Sequence, residues 1–243
     1  MSTDRATRGP KAASMIGRST VLLWSTIGFA VLFVAAGLAL GTAPAATDSG
    51  AQVVKWLTDH HDNVRISLWC VTASLMLFAV FAALVREQLP APHRDVFFFG
   101  AITMTAETAV QGWVLAGLSW HTPQIAPATA RTVLDVASYW GPVVTSATVL
   151  MFGPIALLAL QGKAGLPKWL GVVTLIAFVE QLVETITIFG KRGFLAPGGP
   201  MNLLLGAWLT AIGFVCIGVA VARAVRVKPG VDGAGPPGTV LTA

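Results

Sequence analysis

The sequence predicts an all-α polytopic membrane protein, a bundle of about six transmembrane helices, and three observations lead to this fold class. Of the 243 residues, 55% are hydrophobic and only 11% are charged, whereas about 25% of the residues of an average soluble domain are charged. The mean hydropathy is +0.73. The apolar residues also come in runs of about 20, which is the length that crosses the hydrocarbon of a bilayer.

Six apolar runs follow one another along the chain, and each predicts one span. The predicted spans are 20–41, 65–85, 96–118, 133–160, 169–189 and 201–222. Together they define a transmembrane domain over residues 20–226. The polar, basic residues 1–19 and the Pro/Gly-rich residues 227–243 are predicted to be disordered cytoplasmic ends, because neither can bury enough apolar surface to order itself.

The basic residues predict the orientation of the bundle. If the N-terminus is cytoplasmic, eleven of the 16 Lys and Arg residues fall on the inner side, as the positive-inside rule requires. We therefore expect a multi-pass protein of the cell (inner) membrane with both termini in the cytoplasm. The net charge of +5 is then loop charge, so the expected partners are the lipid bilayer and a protein in the membrane, and no nucleic acid is expected.

One alternative concerns the first span. The basic start, the apolar run and the small residues TAPAA at 42–46 resemble a signal peptide with its cleavage site, although the run exceeds the usual length of about 7–15 residues. The sequence favours an uncleaved helix. Cleavage would leave five spans and an extracellular N-terminus.

Three glutamates inside predicted spans are the candidate functional residues. A charged acid at the centre of a membrane helix costs roughly 2.5 to 3.5 kcal/mol, so Glu107, Glu180 and Glu184 call for a functional hypothesis. Glu180 and Glu184 lie one helical turn apart. At least one of them is expected to be protonated at neutral pH, because two such carboxylates cannot both ionise cheaply in a low dielectric.

Polar stripes on spans two to five indicate where these glutamates point. Residues four apart share one face of a helix, and the stripes should face one another rather than lipid. The candidate binding residues are Glu107, Gln111, Glu180, Gln181, Glu184 and Asp135, with Asp135, Ser138, Pro142 and Ser146 forming the stripe of span four. In the predicted orientation this cluster opens toward the outer side.

The sequence predicts no metal site and no cofactor. His60, His61 and His121 lie in the outer loops and are weak candidates for Zn or Cu, because adjacent loop histidines are more often solvated. The spans contain no histidine that could anchor a haem. Cys70 and Cys216 lie in apolar runs without any metal-binding spacing, and they are interpreted as small buried side chains.

The functional hypothesis is small-molecule, proton or cation transport or binding through the intramembrane glutamates. The sequence contains no recognisable catalytic motif. It does not favour an enzyme, but a membrane-embedded enzyme acting on a lipid stays open, with the glutamates as general acid and base. A non-catalytic subunit of a larger membrane complex is the other alternative, in which the glutamates hold helices together through hydrogen bonds.

Two short sequences in an Ala/Leu/Val/Gly-rich chain carry a family resemblance. The first is LPKWLG at 166–171, which opens a late span, and the second is APGG at 196–199 before the final span. With these features the chain resembles the uncharacterised multi-span integral membrane proteins common in high-GC actinobacteria. The resemblance implies a membrane bundle and supplies no activity or residue roles.

Overall fold

The described part of the chain is helical throughout. A computed structural model describes the backbone of residues 10–122 and 124–227 and the side chains of residues 17–122 and 124–226. The α-helices are α1 Pro10–Leu40, α2 Gly50–Asp59, α3 His61–Arg86, α4 His93–Trp120, α5 Pro127–Ser138, α6 Trp140–Leu160, α7 Lys168–Glu184 and α8 Ala207–Val227. Short 3-10 segments occupy Thr185–Phe189 and Gly193–Leu195, and a π-helical segment, Met201–Gly206, leads into α8. No strand occurs in these ranges, and the all-α prediction is confirmed.

Five helical stretches are long and apolar enough to cross a membrane. They are Gly17–Leu40, His61–Arg86, Pro127–Leu160, Lys168–Phe189 and Met201–Arg226, and each overlaps a predicted span. The remaining predicted span, 96–118, coincides with α4, which has 28 residues. Helix α4 is not among the five because Glu107 and Gln111 lower its hydropathy. A total of six spans therefore stays a prediction.

Six of the helices form a closed ring. In order around it, α1 packs against α3, α3 against α4, α4 against α6, α6 against α7, α7 against α8, and α8 against α1. Ser19 Oγ in α1 donates to the carbonyl of Ala222 in α8 at 3.1 Å. The beginning of α1 and the end of α8 therefore lie together, at what we call the terminal end of the bundle.

The centre of the ring is apolar. Phe214 of α8 packs its ring against Phe29, Phe78, Phe81 and Phe152, with centroids 5.1–6.0 Å apart, and all five rings are buried. These rings come from α1, α3, α6 and α8. The polar stripes of spans two to five are predicted to face one another rather than lipid, and Ser67, Ser74 and Glu184 of these stripes are buried. The middle of the bundle, however, is filled by aromatic packing and not by polar side chains.

Large apolar side chains cover the outside of the ring. Trp24, Leu38, Trp69, Trp113 and Phe189 are between 67% and 81% exposed, and every long helix contributes further examples. Water-soluble monomers rarely expose contiguous apolar patches larger than a few hundred Å². The surface is therefore compatible with a bundle surrounded by lipid.

Helices α2 and α5 cover the end of the bundle opposite the terminal end, and we call this the cap end. Val53 and Leu57 of α2 and Leu134 of α5 are buried together with Leu118 of α4. The sequence analysis predicts no helix between spans 20–41 and 65–85, which is where α2 lies. Its sequence signal is the capping box of Ser49 and Gln52, in which each residue satisfies the other's backbone N–H.

Two predicted boundaries differ from the structure. Predicted span 133–160 is divided into α5 and α6 at Tyr139, because Pro142 has no N–H to donate and its ring crowds the preceding turn. Helix α1 begins at Pro10, within the segment 1–19 that is expected to be disordered, since a proline in the first turn lacks only an N–H that would be unpaired there anyway. Residues 1–9 and the tail beyond 227 lie outside the described residues.

Candidate functional site

The strongest polar cluster lies near the cap end, where α7 meets α6 and the π-helical segment. Glu180, Gln181 and Glu184 are all buried, with exposures of 9%, 2% and 3%. Gln181 Nε2 donates to Glu180 Oε2 at 2.7 Å and to Glu184 Oε2 at 2.6 Å. One amide therefore holds the two carboxyl groups together, and the structure unites three of the six candidate residues.

Two side chains that the sequence analysis did not name complete this cluster. Thr148 of α6 donates its hydroxyl proton to Gln181 Oε1. Asn202 donates from Nδ2 to Glu184 Oε1, and more weakly to Thr187 Oγ1 at 3.3 Å. We call Thr148, Glu180, Gln181, Glu184, Thr187 and Asn202 the carboxyl network. The sequence offers one indication of Asn202, namely that a polar amide side chain stands next to the start of the last predicted span, 201–222.

Two glycines leave the space that the side chains of the carboxyl network occupy. A Cβ at Gly206 would lie 2.1 Å from Glu184 Oε2, and a Cβ at Gly141 would lie 3.0 Å from the Asn202 side chain. Glycines in membrane helices usually let two helices pack closely. In the structure the group that approaches Gly206 is the Glu184 carboxyl, so this glycine makes room for the network.

The backbone around the network is irregular on three sides. Helix α7 changes to a 3-10 segment directly after Glu184, and Asn202 lies in the π-helical segment. The break at Tyr139 between α5 and α6 is the third irregularity. Buried backbone groups outside a regular helix need other hydrogen-bond partners, and here Asn202 Oδ1 accepts from the backbone N–H of Gly198 at 3.0 Å.

Glu180 differs from Glu184 in its hydrogen bonds. Glu184 accepts at both oxygens, from Gln181 and from Asn202, which is the acceptor-only pattern of an ionised carboxylate. Glu180 accepts only at Oε2, and its Oε1 is buried without a hydrogen-bond partner. No ion pair to either glutamate occurs among the described residues. The free Oε1 is therefore the place where a proton or a cation could be held.

Glu107 and Gln111 lie in α4, apart from the carboxyl network. Gly100 in the same helix lies against Ala147 of α6, and Glu107, seven residues later, shares that face. Gln111 Nε2 donates to the carbonyl of Ala137 at 3.2 Å, beside the break at Tyr139. Because α6 packs between α4 and α7, the structure does not gather all three glutamates, although Glu107 Oε2 is also buried without a partner.

Asp135 belongs to the cap. It pairs with Arg131 one turn earlier in α5, and Arg131 also donates to the carbonyl of Ala45 at 2.9 Å. The predicted stripe of span four is not continuous, because Ser146 is exposed while Thr145 and Thr148 are buried. The break at Tyr139 changes the helical phase, and a spacing of four residues does not continue across it.

The three histidines do not form a metal site. His60 Nδ1 lies 3.0 Å from the carbonyl of Trp56, and His61 Nδ1 lies 3.1 Å from Asp62 Oδ1. His121 follows the end of α4 and is exposed. Within 10–122 and 124–227 there is no group of three His, Cys, Asp or Glu side chains that could hold a metal ion.

Two surface crevices lie away from the glutamates. The first, of about 220 Å³, lies between α3 and α4 and is lined by residues such as Thr72, Thr108 and Trp113. The second, of about 230 Å³, lies between α1 and α8 at the terminal end. Neither is lined by Glu107, Glu180 or Glu184. An enzyme acting on a lipid would need a groove that reaches Glu107, and the α3–α4 crevice is lined by the neighbouring Thr108 instead.

No family model, no curated protein and no solved structure matches the chain. The resemblance to actinobacterial membrane proteins therefore stays a prediction, and the function must be argued from the site itself.

The hydrogen bond between α6 and α7 can be tested by a substitution that keeps the side-chain shape. Thr148→Val is expected to lower the free energy of unfolding by about 1 kcal/mol, the usual size of an interhelical hydrogen bond in a membrane. Thr174→Val is the matched control, since Thr174 is buried in α7 but donates only within its own helix, to Leu170 at 2.8 Å. Unfolding in mixed micelles, followed by tryptophan fluorescence, gives both values. Equal losses in the two variants would contradict the role of Thr148.

Proposed function

We propose that the chain is a six-span integral membrane protein of the cell (inner) membrane, with α4 as the sixth span. Helix α4 packs between α3 and α6, two helices that are apolar enough to span. At 1.5 Å per residue, its 28 residues extend over about 40 Å. A helix in that position crosses wherever its neighbours cross, which supports six spans. The hydrogen bond between Ser19 and Ala222 supports placing the start of α1 and the end of α8 on the same side, which the distribution of basic residues predicts to be the cytoplasm.

The function we propose is binding of a proton or a small cation at the Glu180–Glu184 pair. The single observation that carries it is the buried, unpartnered Oε1 of Glu180 next to a second carboxyl group. A buried oxygen without a partner loses its hydration without compensation. A proton or a cation at this oxygen would also reduce the repulsion between the two carboxyl groups.

Such a site suits small occupants only. The side chains of the carboxyl network are buried, and neither of the two crevices described above is lined by Glu180 or Glu184. Larger substrates would require the helices to separate. The network lies near the cap end, which is the outer side in the predicted orientation, so exchange with the outer solution is the simplest route.

Infrared spectroscopy of the protein in lipid tests this proposal directly. A protonated carboxyl has a C=O band that shifts in D₂O, and we expect the wild-type protein to show it at neutral pH. Glu180→Gln is expected to remove the band. Glu87→Gln is the control, because Glu87 pairs with Arg18 on the exposed surface of the terminal end and should leave the band unchanged.

Added salt distinguishes the two occupants. If a cation replaces the proton, the band should decrease as Na⁺ or Li⁺ is titrated in the wild-type protein. If only a proton binds, the band should respond to pH alone. A band that persists in Glu180→Gln and disappears in Glu107→Gln would place the proton in α4 and contradict the proposal. Measuring the flux of protons or of the cation into proteoliposomes would then distinguish transport from binding.

One observation favours a second candidate, a non-catalytic membrane subunit. The carboxyl network joins α6, α7 and the π-helical segment through Thr148 and Asn202, which is also what a purely structural network would do. In that case glutamine at position 180 should leave both folding and assembly intact, and no titratable infrared band should depend on Glu180.

A further inference from the structure

The crevice between α1 and α8 combines apolar walls with two arginines. Its lining is Leu23, Val219, Ala222, Arg223 and Arg226, and its volume is about 230 Å³. It lies at the terminal end, whereas the carboxyl network lies near the cap end. Drug-sized ligands occupy pockets of about 300–1,000 Å³, so this crevice is sized for a headgroup rather than a whole ligand.

The helix contact beside the crevice gives it a fixed shape. Gly218 of α8 lies so close to Thr26 of α1 that a Cβ there would be 2.2 Å from Thr26 Oγ1. Nearer the terminal end, Ser19 Oγ bonds Ala222 and also accepts from Arg226 Nε at 2.7 Å. The two helices are therefore held at both levels, and the crevice opens beside this line of contacts.

Both arginines carry a positive charge that is available to bind an anion. Arg223 and Arg226 are exposed, and neither forms an ion pair with an acidic side chain in the described part of the chain. The hydrogen bond to Ser19 uses only the Nε–H of Arg226, which leaves its terminal NH₂ groups available. Guanidinium groups bind phosphate oxygens through paired N–H donors, and Leu23 and Val219 offer an apolar wall next to them.

We propose that this crevice binds the phosphate headgroup of an anionic phospholipid of the inner leaflet. Arg223 and Arg226 contact the phosphate, and the start of an acyl chain follows Leu23 and Val219. Basic pockets between transmembrane helices on the cytoplasmic side are suited to anionic lipids, and the terminal end is the predicted cytoplasmic side. The inference depends on the proposed membrane location and does not depend on proton or cation binding at Glu180.

Native mass spectrometry of the full chain released from detergent tests the site. Phosphatidylglycerol is added to the wild-type protein, to R223Q and to R223Q/R226Q, and the bound fraction is titrated. Because each basic residue near a membrane surface contributes about fivefold in affinity, we expect about fivefold weaker binding for R223Q and about 25-fold for the double variant. R223Q is the safer single variant, since Arg223 forms no described hydrogen bond within the fold.

The controls are a variant that loses two positive charges elsewhere and two other ligands that carry a phosphate. K191Q/R192Q removes two exposed charges from the loop before the last helix and should leave phosphatidylglycerol binding unchanged. Phosphatidylcholine should bind the wild-type protein about tenfold more weakly or less. Equal losses in the two double variants, equal binding of the two lipids, or equally tight binding of glycerol phosphate would overturn the proposal.

The same samples separate this inference from the proposed function. Glu180→Gln should retain the lipid preference, so a lost infrared band with preserved lipid binding would leave the crevice assignment standing. Extraction of the wild-type protein from membranes by alkaline buffer would show that the membrane location itself is wrong. Membrane retention without lipid discrimination would overturn the crevice assignment alone.

Discussion

Replacing Glu184 by leucine is expected to lower the free energy of unfolding by about 2 to 4 kcal/mol. Leucine resembles glutamate in size, but it removes the acceptor from two buried amides, those of Gln181 and Asn202. Each buried donor left without a partner costs about 1–3 kcal/mol. Unfolding of the protein in mixed micelles, followed by tryptophan fluorescence, measures the loss.

Glutamine variants at the two positions give this prediction its control. Glu184→Gln places an NH₂ group opposite an amide donor. We expect it to lower the free energy of unfolding by about 1–2 kcal/mol. Glu180→Gln should be nearly neutral, because its NH₂ can take the place of the unpartnered Oε1. A larger loss for Glu180→Gln than for Glu184→Gln would contradict the hydrogen-bond pattern of the carboxyl network.

Phe214→Ala is expected to lower the free energy of unfolding by about 3 kcal/mol, at the lower end of the range for phenylalanine in cores. Its ring is completely buried and contacts four other phenylalanine rings. In a bilayer the transfer of apolar groups out of water contributes little between helices, so the lost packing and the cavity dominate. Thermal or denaturant unfolding in lipid nanodiscs measures the change.

Phe189→Ala is the matched control for the aromatic core. Phe189 is 81% exposed, so its removal opens no cavity, and we expect a change within about 0.5 kcal/mol. A similar loss at both positions would mean that the central rings contribute no more than rings on the surface. In that case the ring of helices would have to be held by contacts other than the phenylalanine cluster.

Much of the helix layout follows from hydropathy alone. Lipid solvates no backbone polar group, so each long apolar run must form a helix, and five of the predicted spans coincide with long apolar helices. The pairing of Glu180 with Glu184 also follows from the sequence, since residues four apart share a face. Spacing within one helix predicts such neighbours because it requires no knowledge of the other helices.

Contacts between helices were the part that the sequence could not supply. Asn202 lies 18 residues from Glu184 and Thr148 lies 33 residues from Gln181, and nothing local to either residue indicates its partner. The same limit explains why the sequence does not predict the aromatic centre of the bundle. Phe29, Phe78 and Phe214 are ordinary apolar residues in the sequence, and only the ring order of the helices places them together at the centre.

The closed ring also has a consequence for the order of synthesis. The chain emerges from its N-terminal side, so α1 and α3 can pair while the later helices are still being made. The partners that Ser19 and Glu184 require, Ala222 and Asn202, belong to the last helical segments. In the proposed membrane location, Glu184 therefore lacks the hydrogen bond from Asn202 until those segments are inserted. An unfinished chain would therefore hold a carboxyl group with one of its two oxygens unpaired.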